Sequence, residues 1–378
     1  MGVSTRKPWL TSLGVVLAGV TLYAGAARAQ LALSTDTPGS IAVFPKVIAD
    51  NERDSIIMLT NTSNMPLSVK CWYFDANNLC QKTDFFVDLT PRQPTWWRVS
   101  SGRNAADEPN IFHGAVPIRI DFRGELKCVE VDDGGFPLVR NALKGEAILI
   151  TKADGQVSEY NAIMFQGGTG ATGVCQNAAA GSCLSSADCC PVGTPDCGVT
   201  CRTQLLLDGT HYAACPDTLQ VAHYAEGAQD FSSSATVRGE LTLVPCAEDI
   251  NNERPIDENS PEAIAQLRVV NEYEEGNLSA SVPVACWANV RLCGSQCEVP
   301  PPTLDENLVG TIYAASSIGP FVKTRIETSN AQNGGLLGVF EEFHTPIGSS
   351  PVVTGTAAVN FHNVGARTNG DVITIEDR

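Results

Sequence analysis

The chain has 378 residues, with 42 acidic against 25 basic side chains and a formal net charge of −17. That balance excludes a nucleic-acid or anionic-membrane binder, because phosphate recognition needs clustered Lys and Arg. Only 18% of residues are charged, while Gly numbers 33 and Pro 22, which points to all-β structure rather than helices.

Residues 1–29 read as a secretory signal peptide: Arg6 and Lys7, an apolar run from Leu10 to Tyr23, and Ala27-Arg28-Ala29 before Gln30. The run is too short to span a bilayer comfortably, and no later segment approaches a membrane span. The expected location is therefore secreted, periplasmic or at the cell surface. The remainder exceeds one ordinary domain and divides into residues 38–166, 167–234 and 235–378.

From Asp54 to Asp75 the chain reads strand, polar turn, strand. Ile57 and Leu59 alternate with Ile56 and Met58, then Asn61-Thr62-Ser63-Asn64 turns, then Leu67, Val69 and Cys71 alternate with Ser68, Lys70 and Trp72. Period-two alternation around such a turn predicts a β-hairpin with one buried face. Much of it returns at Ala265–Asn289, and both copies end in aliphatic-x-aliphatic-x-Cys-Trp, at Cys71-Trp72 and Cys286-Trp287. Gly124, Gly145 and Ile163 in the first half are matched by Gly335, Gly355 and Ile373 in the second. The first interval is 21 residues against 20, and the second is 18 in both. Such matched spacing predicts two copies of one domain.

Each copy holds short strands separated by turn residues. Leu89-Thr90-Pro91-Arg92-Gln93 before Trp96-Trp97 looks like the loop and strand that follow a central hairpin in a sandwich. On these motifs the chain resembles secreted bacterial proteins with duplicated immunoglobulin-like β-sandwiches, over Ser40–Phe165 and Gly239–Asp377. The resemblance implies two such sandwiches and no known activity; a β-barrel is the alternative.

Fourteen cysteines in an exported chain predict seven disulfides. The repeat suggests Cys71–Cys128 within the first copy, with Cys71–Cys80 as the competing pair. It suggests Cys246 with Cys286, and Cys293 with Cys297 as a local staple. The segment Cys175–Cys201 has almost no large apolar residue and cannot build a core, so it needs covalent staples. Its pattern of Cys175, Cys183, Cys189, Cys190, Cys197 and Cys201 resembles a knottin framework. By that resemblance the pairs are Cys175–Cys190, Cys183–Cys197 and Cys189–Cys201, which leaves Cys80 for Cys215. The plainer reading is an irregular disulfide-tied insertion, separable from both sandwiches.

No catalytic motif is present, and no cofactor is expected. Glu342, His344 and His362 form the one grouping that could hold zinc, set against a solvated strand edge at Glu341–His344. Trp72, Trp96, Trp97 and Trp287 are candidate stacking surfaces for glycan or peptide, set against interface packing. Asn61-Thr62-Ser63 and Asn277-Leu278-Ser279 fit the glycosylation sequon in predicted turns. The expectation is an exported, non-catalytic structural or adhesive protein facing an extracellular or envelope protein or glycan. A glycan- or protease-binding module and a metal-dependent hydrolase are the alternatives.

Overall fold

The structure, a computed structural model, describes residues 31–104, 114–175, 183, 190, 201–250, 263–275, 278–292, 315–328, 334–347, 355–367 and 370–375. Residues 31–378 form one compact unit. The chain begins with β1 (Leu33–Ser34), β2 (Ile41–Ala49), β3 (Arg53–Asn61), β4 (Leu67–Asp75), β5 (Gln81–Leu89) and β6 (Pro94–Arg98). Next come β7 (Phe122–Val131), β8 (Leu143–Thr151), β9 (Val157–Asn161), β10 (Ile163–Phe165), β11 (Thr172–Cys175) and β12 (Cys201–Leu207). Then follow β13 (Thr218–Tyr224), β14 (Thr236–Pro245), β15 (Glu248–Asp249), β16 (Ala263–Asn271), β17 (Leu278–Val284) and β18 (Ala288–Leu292). The last are β19 (Phe321–Thr328), β20 (Leu336–Thr345), β21 (Gly355–Asn360), β22 (His362–Val364) and β23 (Asp371–Ile375).

These strands make five sheets. Sheet one runs β1-β10-β2-β7-β4-β5 and sheet two β6-β3-β8-β9. Sheet three is β11-β12-β23-β15, sheet four β18-β14-β20-β21 and sheet five β17-β16-β19-β13-β22. The arrangement is a five-bladed β-propeller, which corrects the expectation of two immunoglobulin-like β-sandwich domains. Its blades draw strands from distant parts of the chain instead of one consecutive run each.

The predicted hairpin at Asp54–Asp75 is also corrected. Both strands form, but β3 bonds β6 and β8 in sheet two, while β4 bonds β5 and β7 in sheet one. The turn between them is an arch from sheet to sheet. Asn61 holds it: buried, it donates from Nδ2 to the carbonyls of Met65 (2.7 Å) and Thr90 (3.0 Å). A buried amide with both protons engaged is no glycosylation acceptor; Asn277 lies outside the described residues. In the second half β16 and β17 do pair as a hairpin. There Cys286 and Trp287 fall between β17 and β18, whereas Cys71 and Trp72 lie inside β4. The two halves share the long pairings β2 with β7 and β14 with β20, but β8 bonds β3 while β21 bonds β20.

The central strands β2 and β7 of sheet one are buried on both faces, which is why β2 shows no polar alternation. Ala42, Phe44, Cys71 and Tyr73 enter a core shared with Ile57, Leu59 and Trp97 of sheet two and its flank. From the opposite face, Ile41, Val43, Trp72 and Phe74 enter a second core with Leu205 and Leu207 of β12 and Ile373 and Ile375 of β23. A third core joins sheets four and five. Each large apolar side chain so buried contributes about 1.5–3 kcal/mol.

Every cysteine among the described residues is disulfide-bonded. Cys71 and Cys128 are joined across the β4–β7 ladder, where they are register partners. The other bridges correct the expected pairings. Cys80 joins Cys286 and Cys215 joins Cys246, in place of Cys80–Cys215 and Cys246–Cys286. Cys183 joins Cys201, which rules out the knottin pairs Cys183–Cys197 and Cys189–Cys201. Cys175 and Cys190 are each in a disulfide as well; Cys189, Cys197, Cys293 and Cys297 lie outside the described residues. The physical reason is distance in space: a bridge needs Cα atoms within about 7 Å. The fold brings those of Cys80 and Cys286 to 6.0 Å across a sequence separation of 206.

Candidate functional site

Of the four tryptophans proposed as stacking surfaces, the fold leaves one open. Trp72 and Trp97 are buried, and Trp97 donates from Nε1 to the Tyr73 hydroxyl at 2.6 Å. Trp287 is partly buried, donating to the Pro45 carbonyl at 2.8 Å. Trp96 is 64% exposed. It lies on β6, an edge strand, where its neighbour Trp97 takes the inward position.

Around Trp96 the outer face of sheet two carries an apolar strip between charged and polar positions. The inward residues Ile57, Leu59, Ala147, Leu149 and Tyr160 belong to the core, so alternation turns Ile56, Met58, Ile148, Ile150 and Val157 outward with Trp96. Register places them in rows. Trp96 is opposite Met58, Ile56 opposite Ile148, and Ile150 opposite Val157, which is 50% exposed. Contiguous outward apolar positions on one sheet face mark a contact surface, where scattered single residues would not. This face is the candidate interface.

The zinc grouping is not assembled. Glu342 and His344 share a face of β20, but His362 is exposed on β22 in another sheet, opposite Gln220 of β13. His344 instead sits between two carboxylates: Nδ1 is 3.0 Å from Asp230 Oδ2 and Nε2 is 3.6 Å from Glu342 Oε2. Both ring nitrogens are therefore engaged. Burial raises the Glu342 carboxyl above its ordinary range, although it accepts from the Tyr224 amide at 2.9 Å and faces His344. The Ser232 amide, then the Ser232 and Ser233 hydroxyls, donate to Asp230 and hold that carboxyl low. The cluster ties the 230–234 turn to β20. Among the described residues the one group close enough for a metal is Cys215, Cys246 and Asp371, and its two sulfurs are bonded to each other.

Glu341 is not at a solvated edge. It is fully buried, 2.9 Å from Lys46 Nζ and 2.5 Å from Arg53 Nη2, with Ser158 donating to it at 2.5 Å. Burial opposes its ionisation, but the charges of Lys46 and Arg53 win and hold its carboxyl below the ordinary range. Glu240 completes the network, 2.6 Å from Lys46. A second buried set joins Lys127 to Glu125 (2.7 Å) and to Glu248. Burial drives the Glu125 carboxyl well up, while its two carboxylate neighbours raise Lys127 against its own desolvation. Sequence reasoning missed Lys46, Arg53, Asp230 and Glu240 as partners of the Glu341–His344 strand. The signal available was the presence of charged residues inside otherwise apolar strands, such as Lys46 within Ile41–Ala49.

No protein-family model and no curated protein matches this chain.

Proposed function

We propose that the protein is an exported, non-catalytic structural or adhesive protein that presents the outer face of sheet two to another macromolecule. The observation that carries this reading is the exposed Trp96 beside the half-buried strip of Met58, Ile56, Ile148 and Ile150. The disulfides support the export it assumes, because such bonds persist in oxidising compartments. The leader expected at residues 1–29 lies outside the described residues. No helix among the described residues is long and apolar enough to cross a membrane.

The test is capture of extracellular or envelope material by the immobilised protein, compared with Trp96→Ser and Ile148→Ser. Loss of capture in both variants, with unchanged melting, supports the reading; unchanged capture overturns it. A glycan ligand is the second reading, favoured by the exposure of Trp96 alone among the described tryptophans, since a sugar ring stacks on an open indole. Binding on a glycan array that is lost in Trp96→Ser would select it.

A further inference from the structure

We infer that the outer face of sheet two is an interface between two copies of this chain, related by a two-fold axis parallel to its strands. The inference rests on reading that face as an interface and goes further by naming its occupant. It is carried by one cross-strand row. Arg98 on β6 is opposite Ile56 on β3, which is opposite Ile148 on β8, which is opposite Glu159 on β9. The row is apolar in the middle, cationic at one edge of the sheet and anionic at the other. Strand spacing puts the two charges about 14 Å apart. Both are exposed; Arg98 is 3.6 Å from Asp54, and the Glu159 side chain makes no hydrogen bond or ion pair among the described residues.

A face with opposite charges at its two edges is complementary to itself in one orientation. A two-fold axis along the strands lays the β6 edge of one copy over the β9 edge of the other. Arg98 then meets Glu159 of the second copy, twice by symmetry, and Ile56 meets the second copy's Ile148. Like charges do not meet: Glu146 is placed over Met58, and Lys144 over Thr60. An axis across the strands would instead set Arg98 over Arg98, which costs energy. A two-fold contact of this kind uses the same patch on both copies.

The patch is small. Four strands by three rows cover about 400 Å², roughly half of what a standard interface buries on each partner. Association is therefore expected in the range of about 1–200 µM rather than at nanomolar concentration.

The test is sedimentation velocity of the whole chain. Wild type should pass from monomer to dimer over that range, and added salt should weaken the dimer. Arg98→Glu and Glu159→Arg should each weaken association by about tenfold or more, because each sets like charges in contact. Mixing the two variants in equal amounts should restore dimers, since every edge contact in the heterodimer is again opposite in sign. Glu159 is exposed, so its substitution leaves the fold intact, and melting curves check this for both variants. A mixture that stays monomeric overturns the two-fold arrangement. Wild type that stays monomeric to about 200 µM overturns the second copy as occupant. In that event, capture lost in Trp96→Ser would leave the face as an interface for another macromolecule, whereas unchanged capture would remove that reading too.

Discussion

Lys46 and Glu240 meet at 2.6 Å with a sequence separation of 194, their side chains 0% and 5% exposed. Lys46 is on β2 of sheet one and Glu240 on β14 of sheet four. Glu341 and Arg53 complete a group of two cations and two anions, with β3 of sheet two supplying the arginine. A buried pair of this kind is costly to assemble and costlier to break, because one partner left alone keeps the full desolvation penalty.

Lys46→Met is accordingly expected to destabilise the protein by about 3–5 kcal/mol, since it leaves Glu240 and Glu341 facing Arg53 alone. Ser158→Ala, which removes one charge-assisted hydrogen bond to Glu341, should cost about 1.5–3 kcal/mol. Urea unfolding of both variants measures the difference.

Two buried groups pull stability in opposite directions with pH. Burial raises the Glu226 carboxyl to about 7. The folded state therefore prefers it protonated, and stability falls as pH rises from about 4.5 to 7. Burial lowers His223 to about 4, its ring held between the Tyr224 carbonyl and the Thr324 hydroxyl. The unfolded chain then takes up the proton first, so stability falls as pH drops from about 6.5 to 4. In wild type the two slopes offset one another across the shared window. Glu226→Gln should melt higher than wild type at pH 8 and equally at pH 4. His223→Gln should lose the acid-side decline. Melting temperature against pH for the three proteins checks both signs.

Peptide mapping under non-reducing conditions should recover Cys80 joined to Cys286 and Cys215 joined to Cys246. Replacing Cys80 and Cys286 together by Ser should cost about 2–5 kcal/mol, because the bridge closes a long loop. Recovery of a Cys80–Cys215 peptide would contradict the architecture.

Excising residues 167–208 should unfold the protein, although the sequence suggests a separable insertion. The excision removes β12, whose Leu205 and Leu207 are fully buried and whose ladder with β23 holds sheet three together. Losing either leucine to Ala alone should cost about 2–5 kcal/mol. Circular dichroism of the excised chain and of Leu205→Ala measures this.

The sequence by itself determined that β3, β4 and β16 are strands, each with an inward row, such as Leu67, Val69 and Cys71 on β4. Alternation such as Ile57 and Leu59 against Ile56 and Met58 is a local record of burial. It also determined the acidity and a cysteine number suited to closed thiols. Only the tertiary structure decided that β3 leaves β4 for another sheet, that Trp72 is covered while Trp96 is not, and that Cys80 reaches Cys286. The reason is that strand pairing is made by backbone N–H and C=O groups, which are alike in every non-proline residue and carry no label for their partner. Side-chain alternation states that a face is buried. Which sheet buries it depends on contacts made across hundreds of residues, as the meeting of Lys46 with Glu240 shows.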